Sequence, residues 1–263
     1  MSLLAVDIGN TNIVIGVFEG DELVAHWRVA TKTSKTEDEY GILVRDLLAS
    51  FGIPHEEIDG MIISSVVPPV QQLFEDMGKR YFGVRPLSVG PGIKTGMPIL
   101  YDSPRDVGAD RIVNAVAAYH KVKGAVIIVD FGTATTFDYV TPKGEYAGGL
   151  IFPGLTISLD ALFFRTAKLP RVELAKPASV VGRNTVESIQ SGMFFGYVSM
   201  VEGTIRRIKE EVMTDPKVIA TGGFAHLNTD EIDEVDEVDE FLTLKGLKML
   251  YYLNHKSKGE SER

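Results

Sequence analysis

The sequence predicts an α/β protein built from two related halves, and two features support this prediction. The first is a turn that occurs twice: an apolar strand ends near an aspartate, a glycine follows two positions later, and polar residues lead into a second apolar run. It lies within residues 3–18 and again within residues 125–140. The second feature is the alternation of strand and helix periodicities along the first half. Two matching turns indicate two related halves that face one ligand.

The first turn has the composition of a phosphate-binding turn. Asp7 lies at the end of its first strand, and Gly9 removes a side chain where a bulky group must approach the backbone. The next residues offer amide and hydroxyl groups that suit a phosphate and its metal ion: Asn10, Thr11 and Asn12. The sequence contains no GxxxxGK(S/T) motif, so a hairpin turn rather than a Walker loop would hold the phosphate. One such turn alone is more often only a turn.

The second turn repeats these features around Asp130. Gly132 follows two positions later, and three threonines supply hydroxyl groups: Thr133, Thr135 and Thr136. A third glycine turn, residues 220–223, follows a short apolar segment and would let a flat base or ribose lie against the backbone. This order of two phosphate turns and a glycine pair resembles the acetate and sugar kinase, Hsp70 and actin superfamily.

The first half continues with regular elements. After the hairpin, the pattern predicts a third strand at 23–29, a helix at 36–51, a strand at 61–66, a helix at 70–82 and a short strand at 85–89. Thr36 is a suitable cap for the first helix, with Glu39 three residues later. This order of elements resembles the ribonuclease-H-like half of the same superfamily.

A polar segment then changes abruptly to a helical pattern that begins near Ile112 and places Asp110 and Arg111 in the first turn. The helix dipole favours an acid there, and that stabilisation alone would explain Asp110. Arg111 is harder to explain, because a cation at a helix amino terminus is electrostatically misplaced unless an anion binds it.

The second half is predicted to contain a core helix with flanking turns between residues 148 and 177, with Phe163 and Phe164 in the core. Thr185 is expected to cap a long helix at 186–212. The acidic run at 230–240 is expected to be a solvated face rather than a metal site. A helix at 242–253 is expected to close the fold, followed by a frayed polar tail at 254–263.

Composition narrows the function further. The chain has 263 residues, of which 44% are apolar, enough to bury a sizeable core. A net charge of −9 argues against a nucleic-acid partner. No cysteine occurs, which excludes disulfides, thiolate zinc sites and cysteine nucleophiles. The absence of a leader-like start and of a long apolar run predicts a cytoplasmic protein with no membrane partner.

Seven motifs in register make a family resemblance specific. They are DIGNTN (residues 7–12), GADR (108–111), DFGTATT (130–136), GGLIFPG (148–154), TAKLP (166–170), GRNT (182–185) and ATGGFA (220–225). Their order resembles that of the type III pantothenate kinases, over nearly the whole chain. The resemblance implies transfer of the γ-phosphoryl group of ATP to the primary hydroxyl of pantothenate, the first step towards coenzyme A.

The resemblance also implies the roles of individual residues. ATP phosphates would be bound by the first turn, which comprises Asp7, Ile8, Gly9, Asn10, Thr11, Asn12, Ile13 and Val14, and Thr133 would also contact ATP. Pantothenate would be contacted by Tyr101, Gly108, Ala109, Asp110, Arg111 and Thr185. Asp110 would accept the proton of the attacking hydroxyl. Family members are homodimers in which the second half forms the interface and helps to build the pantothenate site.

Two cations are expected. Mg²⁺ should bridge the ATP phosphates, with Asp7 its best carboxylate ligand. The spacing leaves open whether Asp130 binds Mg²⁺ or a monovalent ion, and the family resemblance favours K⁺ or NH₄⁺.

The expected fold is therefore two ribonuclease-H-like domains, residues 1–114 and 115–263, each a mixed five-stranded sheet with flanking helices, and with the ATP cleft between them. Two rival functions remain open: an acetate or sugar kinase of the same superfamily, and a non-catalytic ATP-gated module or transcription accessory factor. The intact GADR motif argues against the second rival.

Overall fold

The structure, a computed structural model, describes residues 2–223, 225 and 231–260. It divides into two compact units: unit 1 comprises Met1–Ala117 and Phe241–Arg263, and unit 2 comprises Ala118–Glu240. Each unit is built on one five-stranded sheet with parallel and antiparallel pairs, which confirms the predicted pair of mixed sheets with flanking helices.

The elements of the first half follow one another in the predicted order, whereas two strands of the second half, Tyr146–Pro153 and Glu237–Val238, were not predicted. The strands and α-helices that the structure describes occur in the following chain order. They are β1 (Ser2–Ile8), β2 (Asn12–Glu19), β3 (Glu22–Ala30), α1 (Glu37–Ser50), β4 (Ile58–Ser65), α2 (Pro68–Tyr81), β5 (Leu87–Ser88), α3 (Ala109–Val122), β6 (Val126–Phe131), β7 (Ala134–Val140), β8 (Tyr146–Pro153), α4 (Leu155–Arg165), α5 (Thr185–Val212), β9 (Lys217–Thr221), β10 (Glu237–Val238) and α6 (Leu242–Glu260). The strand orders are β3-β2-β1-β4-β5 and β10-β9-β6-β7-β8.

The two sheets share one plan. In each, three consecutive strands form an antiparallel meander, β1–β3 in unit 1 and β6–β8 in unit 2. The next strand along the chain then pairs parallel to the first strand of the meander, β4 with β1 and β9 with β6. A central strand therefore lies between one parallel and one antiparallel neighbour in both units.

Unit 1 buries both faces of its sheet. Alternate residues of β1, including Leu4, Val6 and Ile8, belong to a core cluster with α1 and α2. Helix α6 packs on β1, β2 and β4, where small residues make room for it: a Cβ atom on Gly60 would lie 1.9 Å from the Tyr251 hydroxyl oxygen. The sequence-based boundary at residues 114 and 115 placed this helix in the second domain, whereas the structure groups it with the first sheet.

Unit 2 has a separate core between its sheet and α5. Ile127, Val129 and Phe137 contribute from the sheet, and α5 contributes a stripe at helical spacing that includes Phe194 and Val201. Phe163 and Phe164, expected in this core, are instead 36% and 71% exposed on α4. That prediction was wrong because α4 buries only Leu155 fully.

Most helix ends agree with their sequence signals. Thr36 and Glu39 form the expected capping box of α1. Helix α2 begins at Pro68, earlier than predicted, because its first turn tolerates proline, whose missing N–H would have no helical partner. Asn184, not Thr185, caps α5: its side chain accepts a hydrogen bond of 2.9 Å from the Glu187 N–H.

The carboxyl-terminal part differs from expectation in two places. Helix α6 continues to Glu260, where a frayed tail had been expected from residue 254, while residues 261–263 lie outside the described part. Asp230 also lies outside it, but the rest of the acidic run is not simply solvated, because Glu234 pairs with Arg206 and Lys209 of α5. Within the described ranges, no helix has the length and apolar character needed to cross a membrane.

Candidate active site

The first predicted turn joins β1 to β2 through residues 9–11 and is held by three hydrogen bonds. The Gly9 N–H donates to the Asn12 carbonyl at 3.0 Å. Thr31, directly after β3, donates its N–H to the Thr11 carbonyl at 2.9 Å and its hydroxyl to the Gly9 carbonyl at 2.7 Å. The side chains of Asn10 and Thr11 remain exposed at the tip. The turn therefore presents its polar side chains outward on a fixed backbone.

Sequence reasoning missed Thr31, because the only local signal was a polar residue at the end of an apolar strand. Sequence reasoning also did not show which residues of the turn could contact a ligand through their side chains and which only through their backbone. Ile8 and Ile13 are completely buried in the core of unit 1, so they can meet a ligand only through their backbone.

Asp7 lies one residue before the end of β1 and is half-buried. Its register partners are Val14 on β2 and Ser64 on β4. Ser64 is completely buried, and its hydroxyl makes no hydrogen bond with any described residue. One strand neighbour of Asp7 is therefore apolar and the other carries a buried hydroxyl.

The second predicted turn joins β6 to β7 through Gly132 and Thr133 only. The Gly132 N–H donates to the Ala134 carbonyl at 3.1 Å, and the Gly154 N–H donates to the Thr133 carbonyl, also at 3.1 Å. Gly154 must be glycine, because a Cβ atom there would lie 2.3 Å from the Thr133 carbonyl oxygen. The start of α4 is thus packed directly onto this turn.

Asp130 occupies the position in β6 that Asp7 occupies in β1, and its register partners are Thr136 on β7 and Thr221 on β9. Side chains of directly opposed residues share one face of a sheet. Gly222, with a positive φ of 93°, lies so close that a Cβ atom would be 2.5 Å from Asp130 Oδ1. The predicted glycine pair therefore supports the Asp130 carboxylate; Phe224 of the same motif lies outside the described residues.

The predicted hydroxyl cluster divides between the two faces of the sheet. Thr135 is completely buried on the core face and hydrogen-bonds to the Tyr197 hydroxyl of α5. Thr136 shares the face of Asp130 and donates its hydroxyl to Asp138 Oδ2 at 3.2 Å. Thr136 is therefore available to the Asp130 side, and Thr135 is not.

The residues around Asp130 fit a hard cation. A carboxylate flanked by threonines on both neighbouring strands offers only oxygen donors, which such cations prefer. Among the residues that the structure describes, no cluster of three or more histidine, aspartate or glutamate side chains could hold a metal ion. Asp130, Thr136 and Thr221 could nevertheless contribute oxygen ligands to a cation.

Asp110 lies in the first turn of α3, as predicted, and is half-buried. Burial raises the pKa of its carboxyl group above the ordinary value, although the Arg111 N–H, which donates to Oδ1 at 2.8 Å, and the positive charge of Arg111 oppose this shift. A carboxylate with a raised pKa is a stronger base, so Asp110 has the property that a general base requires.

The neighbours of Asp110 fix its carboxylate. A Cβ atom on Gly108 would lie 2.5 Å from Asp110 Oδ1, so glycine leaves the space that the carboxylate occupies. Ala109 is the first residue of α3, and the Arg111 side chain is only 7% exposed. Tyr101, in an irregular segment of the same unit, is 36% exposed.

Thr185 is the exposed first residue of α5 in unit 2. The segment before it crosses the helix closely, because a Cβ atom on Gly182 would lie 2.5 Å from the Ser188 nitrogen. Unit 1 therefore carries Asp7, the first turn, Tyr101 and the residues around Asp110. Unit 2 carries Asp130, Thr133 and Thr185.

Comparison with known proteins points to one family. A family model described as type III pantothenate kinase matches residues 3–207. Type III pantothenate kinases of Myxococcus xanthus and Geobacter sulfurreducens are 58% and 55% identical to this chain, each over 97% of the chain and 100% of the relative. The structure of MreB 5 of Spiroplasma citri bound to AMPPNP is 11% identical, with a TM-score of 0.56 over 99% of this chain and 98% of that one, and shows a shared fold.

Proposed function

The chain belongs to the type III pantothenate kinase family, from which we infer that it phosphorylates pantothenate with ATP. It is a phosphotransferase of coenzyme A biosynthesis that uses ATP together with a divalent metal ion. The observation in the structure that best supports this function is the half-buried Asp110 with its raised pKa at the start of α3, inside the motif of residues 108–111.

Asp110 is the general base. It accepts the proton of the primary hydroxyl of pantothenate while that oxygen forms a bond to the γ-phosphorus of ATP and the bond to the β,γ-bridging oxygen breaks, releasing ADP. The transition state of phosphoryl transfer is loose, so positioning and charge neutralisation contribute more than covalent chemistry. Buried Arg111 supplies positive charge at the same helix end for the substrate or the moving phosphoryl group.

The first turn, from Asp7 to Val14, binds the ATP phosphates, and Asp7 is the carboxylate that holds Mg²⁺. Support comes from the fixed backbone of the turn and from its exposed polar side chains, Asn10 and Thr11. Mg²⁺ keeps several waters and needs only one or two carboxylates, which agrees with a single aspartate in this turn. Thr133 makes a further contact with ATP.

Asp130 holds a monovalent cation, K⁺ or NH₄⁺. The all-oxygen surroundings formed with Thr136 and Thr221 support this assignment. When bound, such an ion supplies positive charge that offsets the negative charge of the phosphates. Pantothenate is contacted by Tyr101, Gly108, Ala109, Asp110, Arg111 and Thr185.

The enzyme acts as a cytoplasmic homodimer whose interface lies on unit 2. The support is a concentration of exposed large apolar side chains between residues 150 and 186, which a monomer would leave in water. The most exposed are Ile151, Phe164, Val180 and Val181, at 65%, 71%, 65% and 78%. Thr185 lies within the same stretch of chain, so a pantothenate site near this interface would explain its exposed position.

The proposed reaction is tested by ADP release with pantothenate, acetate, hexoses and water as acceptors. We expect turnover with pantothenate alone, while turnover with acetate or a hexose would favour another small-molecule kinase, and none with any acceptor would favour a non-catalytic module. Asp110→Asn should lower kcat about 10²–10⁴-fold with unchanged ATP affinity. A folded Asp110→Asn enzyme with near-normal turnover would remove Asp110 from its role.

A further inference from the structure

Asp138, on β7, is a completely buried acid that no step of the proposed reaction uses. Its Oδ1 accepts a hydrogen bond of 2.6 Å from the Tyr146 hydroxyl, and its Oδ2 accepts one of 3.2 Å from the Thr136 hydroxyl. Tyr146 is itself completely buried. Each oxygen of the Asp138 carboxyl group therefore accepts a hydroxyl hydrogen bond.

The sheet places this carboxylate beside the proposed cation site. Thr136 is directly opposite Asp130, and Asp138 is two residues further along β7, on the same face. Asp138 and Asp130 are therefore diagonal neighbours, with Cα atoms about 7–8 Å apart in such a pair. The hydroxyl of Thr136 lies between two carboxylates on one face of the sheet.

The hydrogen bond to Asp138 determines the directions in which the Thr136 hydroxyl points its proton and its lone pairs. A threonine hydroxyl has one proton and two lone pairs. Because Asp138 accepts the proton, the lone pairs of the Thr136 oxygen are left for another direction, and a cation requires lone pairs. If the hydroxyl instead donated towards Asp130, its proton would repel a cation held there.

We propose that Asp138 is a positioning residue for the monovalent cation at Asp130: it holds the Thr136 hydroxyl with its lone pairs directed towards the ion. The inference rests on the proposed function in one respect, the cation at Asp130. Asp138 acts through Thr136 and does not touch the substrates.

The test is the thermal stability of the full-length protein, without substrates, as KCl replaces choline chloride at constant ionic strength. An ion that binds only the folded state raises the melting temperature with its concentration, and the curve yields a half-saturating K⁺ concentration. We expect Thr136→Val and Asp138→Asn each to raise this concentration about tenfold or more, as losses of outer-shell partners typically do. The amide of asparagine can donate to Thr136 and so turn its proton towards Asp130.

Thr135→Val is the matched control, since it removes a hydroxyl from the adjacent residue on the opposite face of the sheet. It should lower the melting temperature equally in both salts and leave the half-saturating K⁺ concentration unchanged. Asp130→Ala should abolish the K⁺ response. A K⁺ response that is lost in Asp130→Ala but unchanged in Asp138→Asn would overturn this inference alone, whereas no K⁺ response in the wild type would overturn the cation assignment as well.

Discussion

The two aspartate turns are braced in the same way. In each unit, the residue directly after the third strand of the meander donates its N–H to the carbonyl of the residue directly before the second strand. Thr31 donates to Thr11 at 2.9 Å in unit 1, and Gly154 donates to Thr133 at 3.1 Å in unit 2. The shared brace follows from the shared three-strand plan, so it reflects the fold and not the ligand.

The turns differ in length and in the origin of their polar groups. The first has three residues between its strands and exposes Asn10 and Thr11, whereas the second has two and is packed against Gly154. Around the aspartates, the second turn has the more polar neighbours. Asp7 has one apolar strand neighbour, whereas Asp130 has a threonine on both neighbouring strands. A wider turn with outward side chains suits a polyphosphate, and a tight turn beside a row of side-chain oxygens suits a single ion.

Replacing each aspartate singly by asparagine should give the largest effects and distinguish phosphate binding at the first turn from cation binding at the second. Asp7→Asn should weaken Mg²⁺–ATP binding about 100-fold, at the upper end of losses seen at metal sites, while Asp130→Asn should retain most ATP affinity and lose the response to K⁺. Calorimetry with Mg²⁺–AMPPNP, in KCl and in choline chloride, measures both. If the two variants lose ATP affinity equally and respond equally to K⁺, the turns have no separate roles.

We expect Asp110, and neither of the two turns, to carry the acid–base chemistry. The pH dependence of kcat/KM and of stability tests this expectation. The pKa of Asp110 is raised by burial, so kcat/KM should fall on the acid side at a pH above the ordinary carboxyl range. Because the folded state binds this proton more tightly than the unfolded state, ionisation destabilises the protein as the pH rises through the raised pKa. Asp110→Asn should therefore melt higher than the wild type at neutral pH, and the gain should vanish below the ordinary carboxyl pKa. A stability difference that is constant over this range would contradict the raised pKa.

Gly154→Ala probes the tight packing that distinguishes the second turn. The added Cβ atom would meet the Thr133 and Gly132 carbonyl oxygens at 2.3 and 2.5 Å, so we expect a loss of about 1–3 kcal/mol of folding free energy. The KM for ATP should rise through displacement of Thr133. Gly124→Ala is the control, since its nearest contact would be 3.7 Å and its stability should change little. Equal melting temperatures for the two variants would refute the close packing.

The sequence predicted what is local in the site and missed what is distant. Both turns could be predicted because an apolar run, an aspartate and a glycine are adjacent in the chain, and Asp110 because its helix begins beside it. The close contact between Gly222 and Asp130 could not be predicted, because more than ninety residues separate them in the chain. The packing of α6 on the first sheet was missed for the same reason. That Thr135 and Thr136 lie on opposite faces of the sheet became clear only from the position of each residue in β7.

The smallest expected effect concerns Thr31, whose side chain adds a hydroxyl bond to the backbone brace of the first turn. Thr31→Val removes the hydroxyl bond to the Gly9 carbonyl but keeps the backbone bond to Thr11, so it should cost about 0.5–1.5 kcal/mol of stability. Since the first turn would then be less fixed, the KM for ATP should rise more than that for pantothenate. Thr31→Ser restores the hydroxyl and should recover both values. If serine fails to recover the KM for ATP, the methyl group and not the hydrogen bond holds the turn, and the brace that matters in the first turn is then the backbone bond that both turns share.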